Sequence, residues 1–326
     1  MGRKIKLRTD EIYKILKTRD IAVNTIEPLH NNDTDFLLDG KYIFRISNHE
    51  TDARMKLDRV RSVSLAPKVR SSGEFIASDQ KYVYLIYDYI HGSDLWSVAQ
   101  ILTDEQKNDI GKDIAKFLTE LHTITGDHYD VGHYVPAVPE YKKSWKDGHI
   151  EYAGLLKDGL SSMELKFESK KIISGAFDYI YANIGALEYQ AGARLLHNDF
   201  HPKNIIVSDG KLAGVIDWEC SQYGEADFEL SHLFHWQIYP PDPGKDIGAA
   251  LESVFANLRV ASPVPDIERR LTIYQLEHEL NQLIWNGPDQ EEERTRRISG
   301  WLGGKLNDLT GKWKKNNVTE FKRTMK

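Results

Sequence analysis

Between Leu195 and Glu219 the chain reads LLHNDFHPKNIIVSDGKLAGVIDWE, with polar groups set between two apolar runs. His197 and His201 stand four residues apart, a spacing that on a helix would put two imidazoles on one face and suggest a metal site. Pro202 follows at once and leads into the apolar run Ile205–Val207, which disfavours a helix there. No third His or Cys lies nearby at ligand spacing, so a zinc centre is a poor fit. A capped turn would use the His and Asp side chains but leaves Asp217 unexplained.

Phosphoryl transfer accounts for both ends of the stretch. It needs a carboxylate to orient the attacking hydroxyl and accept its proton, and oxygen ligands for the Mg²⁺ that travels with nucleotide phosphates. The pattern H-R-D-x-x-x-x-N, followed by a strand pair and a second aspartate, supplies these groups in protein kinases. Here His197-Asn198-Asp199 is followed by Asn204, and two short apolar runs around Ser208-Asp209-Gly210 deliver Asp217. A loop and then a hairpin can bring Asn204 and Asp217 to one ion and leave Asp199 facing an acceptor.

Elements must hold these groups. Strand signals crowd the first ninety residues: IAVNTIEPL, FLLDGKYIFRIS and GEFIASDQKYVYLIYDYI are rich in β-branched and aromatic residues. Asp39-Gly40 is a type I′ hairpin signal, and a second turn is expected at Ser78-Asp79-Gln80. HETDARMKLDRVRSVSL reads as a helix stopped by Pro67. Beyond Gly92 the pattern turns helical. Thr103 and Gln106 form a capping box before a helix carrying Ile110, Ile114, Phe117, Leu118 and Leu121. Further helices are expected around Met163–Tyr189 and over RRLTIYQLEHELNQLIW.

HNDFHPKNIIV, GVIDWE and GEADFELSHL together resemble the aminoglycoside phosphotransferase and choline kinase family, small-molecule kinases with a protein-kinase-like fold. The resemblance is strongest over Leu195–Leu233 and weaker over Ile21–Asp94. It implies an α+β, two-lobed, protein-kinase-like chain: residues 1–91 a nucleotide-binding lobe of antiparallel sheet with one helix, and 92–326 a mainly helical lobe with the catalytic loop and substrate site. It implies Asp199 as base and Asn204 and Asp217 as Mg²⁺ ligands, with ATP or GTP as co-substrate. His197, His201 and Asp227 are expected to support the loop, though Asp227 can also face substrate.

In the first lobe Arg45 takes the place of the strand lysine that pairs with nucleotide phosphates. If Tyr42, Phe44 and Ile46 face one side of the strand, Ile43 and Arg45 face the other. By alignment its helix partner is Asp58, with Glu50 competing. Asp88 and Ile90 offer backbone groups to the base edge, and Tyr87 limits the depth of the base pocket or packs in the core. The loop LHNNDTD holds no glycine where kinases carry a glycine-rich flap.

The whole chain of 326 residues has a net charge of −6, which argues against a general nucleic-acid binder. Residues 225–293 hold 4 Lys+Arg against 14 Asp+Glu, a local net of −10. That excess is either a solvated helical surface or a field that attracts a cationic acceptor. Glu225, Glu229, Glu277 and Glu279 are the candidate substrate contacts, and Glu277 and Glu279, two apart, point to different helix faces. No apolar run is long enough for a bilayer, and the single cysteine, Cys220, fits a reducing cytoplasm. The expected activity is transfer of the γ-phosphate of ATP or GTP to a hydroxyl of a small, cationic, aminoglycoside-like molecule, whether for resistance or for metabolism. A metabolic kinase for choline, ethanolamine, a sugar or an amino acid is the same-fold alternative, and a non-catalytic nucleotide-binding module the alternative of another class. Asp217 to Asp227 is too short for a protein-kinase activation segment.

Overall fold

Asp39 and Gly40 adopt φ of 49° and 63°, the left-handed pair that their dipeptide predicts. In this computed structural model, which describes residues 7–29, 34–47, 57–77, 80–132, 142–242, 244–258 and 264–306, they join β2 (Asp35–Leu38) to β3 (Tyr42–Ser47). Pairing resumes at Leu38 with Tyr42, so Lys41 is an extra residue in the turn. With β1 (Ile26–Pro28), β4 (Val69–Ala77) and β5 (Gln80–Asp88), these strands form an antiparallel sheet in the order β1-β2-β3-β5-β4.

Alternation along β3 divides the sheet as its sequence predicts. Phe44 and Ile46 join Phe36, Leu38, Tyr82, Tyr84 and Ile86 in a core packed on Ile12 and Leu16 of α1 (Thr9–Lys17). Arg45 lies opposite Asp35 and Leu85. Of the helix expected over residues 49–65, only 57–59 is helical among the described residues, and the turn at Ser78-Asp79, residues 31–33 and Glu50 fall outside them.

The chain divides into two compact units: Met1–Leu95 with Lys203–Glu219, and Trp96–Pro202 with Cys220–Lys326. The first unit thus runs four residues past the expected boundary and regains the hairpin of β8 (Ile205–Ser208) and β9 (Lys211–Val215). Asp209 and Gly210, at φ of 50° and 71°, close that hairpin. β6 (Ser93–Asp94) pairs with β8 at the other edge. Gly92 permits this approach, because a Cβ there would stand 2.4 Å from the Val207 carbonyl oxygen.

The second unit is built on helices: α2 (Asp104–Leu121), α3 (Trp145–Ser161), α4 (Phe167–Asn183), α5 (Ala226–Ile238), α6 (Gly248–Asn257), α7 (Ile267–Asn286) and α8 (Glu291–Leu302). A two-stranded ribbon pairs β7 (Arg194–Leu196) with β10 (Gln222–Gly224). The capping box forms as expected, with Thr103 Oγ1 accepting from Gln106 N at 3.2 Å and Gln106 Oε1 from Thr103 N at 2.9 Å. α3 has no clear sequence signal, because its buried stripe mixes Leu156 and Leu160 with Gly148 and His149. Among the described residues no helix is long and apolar enough to cross a membrane.

Candidate active site

In the first unit the register of β2 and β3 places Asp35, 5% exposed, directly across from Arg45. The guanidinium forks onto it, Nε to Oδ1 and Nη2 to Oδ2, each at 2.9 Å. Nη1 donates to Glu219, which lies in a short turn after Asp217. Arg45 therefore pairs with Asp35 and Glu219 rather than with the expected Asp58. A strand residue directly opposite reaches the guanidinium with a short side chain, which a residue on the separate 57–59 turn does not do here. Tyr87 lies under Arg45, ring centroid 5.9 Å from the guanidinium carbon. Burial pushes its phenol above the ordinary range, against the pull of Arg45.

At the end of β5, Arg70 forks onto the Asp88 carboxylate at 2.6 and 2.9 Å. Backbone amides of Asp88 and Tyr89 donate to Lys68 and Lys41 carbonyls at 3.1 and 2.8 Å. Among the described residues the Ile90 amide has no acceptor, so it is available to a ligand. Asp88 and Ile90 line an open cavity of about 490 Å³ with Tyr42, Lys68 and Arg70.

The β8–β9 hairpin brings Asn204 and Asp217 to one end, where the Ile216 amide donates to the Asn204 carbonyl at 2.9 Å. Asp217 sits at φ 66°. A left-handed aspartate costs backbone energy, and such residues cluster at functional sites.

In the second unit the loop after β7 carries Asp199. His197 is fully buried and packs edge-on against Phe200, itself stacked on Phe117 of α2. Its Nδ1 accepts from the Asp199 amide at 3.3 Å. Asn198 stands at φ 60°, a conformation that glycine and asparagine tolerate best. Glu229 of α5, fully buried, accepts from the amides of His197 and Asn198 at 2.6 and 3.0 Å. Burial pushes its carboxyl up to about 7 against the lowering effect of those two amides, and the charge of Asp199 adds to the rise. His201 stacks on Trp236 at 5.0 Å, with Nε2 3.5 Å from Asp199 Oδ1.

The other acids of this unit are interior groups. Glu225 accepts from Tyr129 Oη at 2.6 Å and from the amides of Ala191 and Gly192 at 2.9 and 3.1 Å. Glu279 accepts from Arg294 at 3.0 Å and Trp301 at 3.3 Å. With Glu229 holding the loop, these three carboxylates serve protein partners rather than an open substrate pocket. Their burial also means that the acidic excess of residues 225–293 is only partly a surface field, because Glu225, Asp227, Glu229, Glu277, Glu279 and Glu291 are all buried. Glu277 differs. It binds His149 Nδ1 at 2.7 Å, and among the described residues its other oxygen and His149 Nε2 have no partner in the wall of a narrow cavity of about 30 Å³.

Asp227 forks onto Arg270 at 2.7 and 2.9 Å, both fully or nearly buried, and Arg270 also donates to the carbonyls of Ala186 and Tyr189 at 2.9 Å. Asp227 thereby ties α5 to α7 and to the segment leading into β7. Arg270→Ala strands a buried carboxylate and is expected to destabilise the protein by about 3–5 kcal/mol. The urea-unfolding midpoint would register that loss, and an unchanged midpoint would contradict it.

Asp35, Glu219 and His149 carry no assignment from sequence reasoning. Glu219 lies inside the motif itself, whereas Asp35 needs the strand register and His149 needs the packing of α3 on α7.

A strand cation paired with two carboxylates, an aspartate on a braced loop, and an amide and a carboxylate at one hairpin end make up the candidate site. Comparison with known proteins agrees: the model of the phosphotransferase enzyme family matches residues 23–263, and the chain belongs to that family. Its fold is similar to that of a thermostable mutant of aminoglycoside phosphotransferase APH(4)-Ia, solved in ternary complex with AMP-PNP and hygromycin B, at 18% identity and a TM-score of 0.67 over 90% of this chain and 98% of that one. It is also similar to the ADP-bound APH(2'')-Ib, at 22% identity and a TM-score of 0.60 over 90% of this chain and 97% of that one. The gentamicin complex of APH(2'')-IIa gives 23% and 0.60 over 92% and 97%. A curated relative, hygromycin-B 4-O-kinase from Escherichia coli, is 33% identical over 43 residues, a match covering 13% of either chain.

Proposed function

We propose that this enzyme transfers the γ-phosphoryl group of ATP or GTP to a hydroxyl of a small cationic molecule of aminoglycoside type. The observation that carries the reading is the Asp199 loop, whose two preceding amides are clamped by the buried Glu229. A base must be held within hydrogen-bond reach of one hydroxyl, and a loop fixed through its backbone does this without using the base itself. Asp199 takes the proton from the acceptor hydroxyl as its oxygen attacks the γ-phosphorus, and the nucleoside diphosphate leaves.

Asn204 and Asp217 would hold Mg²⁺. The donors fit that ion: both are hard oxygen ligands on one hairpin end, and an amide with a carboxylate leaves further positions for phosphate oxygens and water. When bound, Mg²⁺ supplies charge neutralisation on the phosphates. Arg45 binds phosphate oxygens from the sheet. Asp88 C=O and Ile90 N–H meet the base edge, with Tyr87 at the back of the base pocket.

Glu277 and His149 support a cationic acceptor. A buried carboxylate oxygen without a donor, walled by Trp145, Tyr152, Phe228 and Tyr274, suits an ammonium or hydroxyl tip. The similar structures include hygromycin B and gentamicin complexes, which favours aminoglycosides. The test is a panel of aminoglycosides, choline, ethanolamine, sugars and amino acids, with ATP and GTP supplied separately. Phosphorylated aminoglycoside supports the reading. Transfer only to choline, a sugar or an amino acid overturns the acceptor class, and no transfer with no Mg-nucleotide binding overturns the enzyme reading.

A further inference from the structure

Asp35 and Glu219 meet Arg45 on different edges of the guanidinium and in different environments. Asp35 is almost fully buried, is fixed by strand pairing, and takes the Nε–Nη2 edge through two bonds of 2.9 Å. Such a fork sets the plane of the guanidinium as well as its position. Glu219 contacts Nη1, and its side chain is 54% exposed. Nη1 and Nη2 together form the edge that remains for a bidentate phosphate.

We infer that Asp35 is the positioning residue for Arg45, and that Glu219 is an internal competitor that occupies the phosphate-facing edge of Arg45 until a nucleotide displaces it. The inference rests on the reading of Arg45 as a phosphate ligand. The buried fork persists through the exchange, because two bonds to a buried carboxylate hold it and solvent cannot replace them. The Glu219 contact can break cheaply, because its carboxylate is rehydrated on release. Binding of a triphosphate therefore trades one carboxylate for phosphate oxygens on the same N–H groups, without moving the strand.

The experiment is equilibrium binding of MgATP, MgGTP, adenosine and guanosine to the full chain and to its Glu219→Gln and Asp35→Asn variants, without acceptor. Glu219→Gln is expected to tighten triphosphate binding about two- to fivefold, the scale of a half-exposed ion pair, and to leave nucleoside binding unchanged. The gain should shrink as salt is raised, since the pair it removes is screened. Asp35→Asn is expected to weaken triphosphate binding several-fold and raise the KM for nucleotide more than it lowers kcat, with Asp35→Glu partly restoring it. Unchanged or weaker triphosphate binding in Glu219→Gln overturns the competitor role, and the weaker result would mark Glu219 as a contact to the nucleotide or its metal. Equal loss of nucleoside and triphosphate binding in Asp35→Asn overturns the positioning role. If the unaltered protein binds neither triphosphate, the parent reading of Arg45 falls and this inference with it.

Discussion

Asp199→Asn is expected to lower kcat by about 10³-fold, within the range a positioned general base contributes, while the KM for nucleotide stays nearly unchanged. Asparagine keeps the shape of the side chain and removes its capacity to accept a proton. The loop should survive, because it is held by Glu229 through the amides of residues 197 and 198 and by the buried His197 ring, none of which uses the Asp199 carboxylate. Steady-state kinetics on the best acceptor from the panel give the answer. Retention of more than about a tenth of kcat would remove Asp199 from the chemistry.

The second large effect is expected at Glu229, which touches no reacting atom. Both of its oxygens accept loop amides, at 2.6 and 3.0 Å, and this requires the ionised form. A protonated carboxyl has one good acceptor left and releases one amide. With its carboxyl pushed up to about 7, kcat should rise with pH through that value. Glu229→Gln should lower kcat by about 10²-fold, as a small misplacement of the base does, and should flatten that limb of the profile. An acid limb near neutral pH that survives in Glu229→Gln would assign it to another group.

Stability should run the other way. A carboxyl raised in the folded protein binds its proton more tightly there than in the unfolded chain, so its contribution is fully present below the ordinary value of 4.5 and is lost as pH rises through about 7. The loss is roughly 3 kcal/mol, and it should be absent in Glu229→Gln. Activity and stability thus oppose each other at this residue. Ionising it costs stability through desolvation and aligns the loop.

Local features of the candidate site were legible without the fold. The spacing of Asp199, Asn204 and Asp217 needs only a loop and a tight hairpin, both encoded by neighbours in sequence. Asp209-Gly210 and Asp39-Gly40 adopt the left-handed turns that dipeptides of this kind favour. The alternation of Phe44, Arg45 and Ile46 predicted which face carries the cation, and the core and Arg45 divide accordingly.

Register was not legible. A two-residue turn at Asp39-Gly40 would pair Asp35 with Phe44 and aim it at the core. The extra Lys41 shifts the pairing by one, which sets Asp35 opposite Arg45 and on its face. One residue in a turn thereby decided the partner of Arg45. The fates of the acids were equally hidden. Glu225, Glu229, Glu277 and Glu279 look alike as charges near an acidic, helical segment. One anchors Ala191 and Gly192, one the Asp199 loop, one pairs with His149 beside a cavity, and one meets Arg294.

By itself, then, the sequence of this protein determined the features for which only chain-local geometry matters: the turns, the strand face, and the spacing of the proposed base and the two proposed oxygen ligands. The tertiary structure decided everything that depends on burial and long-range partners: Asp35 over Asp58, Glu229 as a loop anchor, and Glu277 with His149 at a cavity wall. The physical reason is that a carboxylate's role follows from its solvation and its nearest donors, and these lie from ten to more than a hundred residues away in the chain.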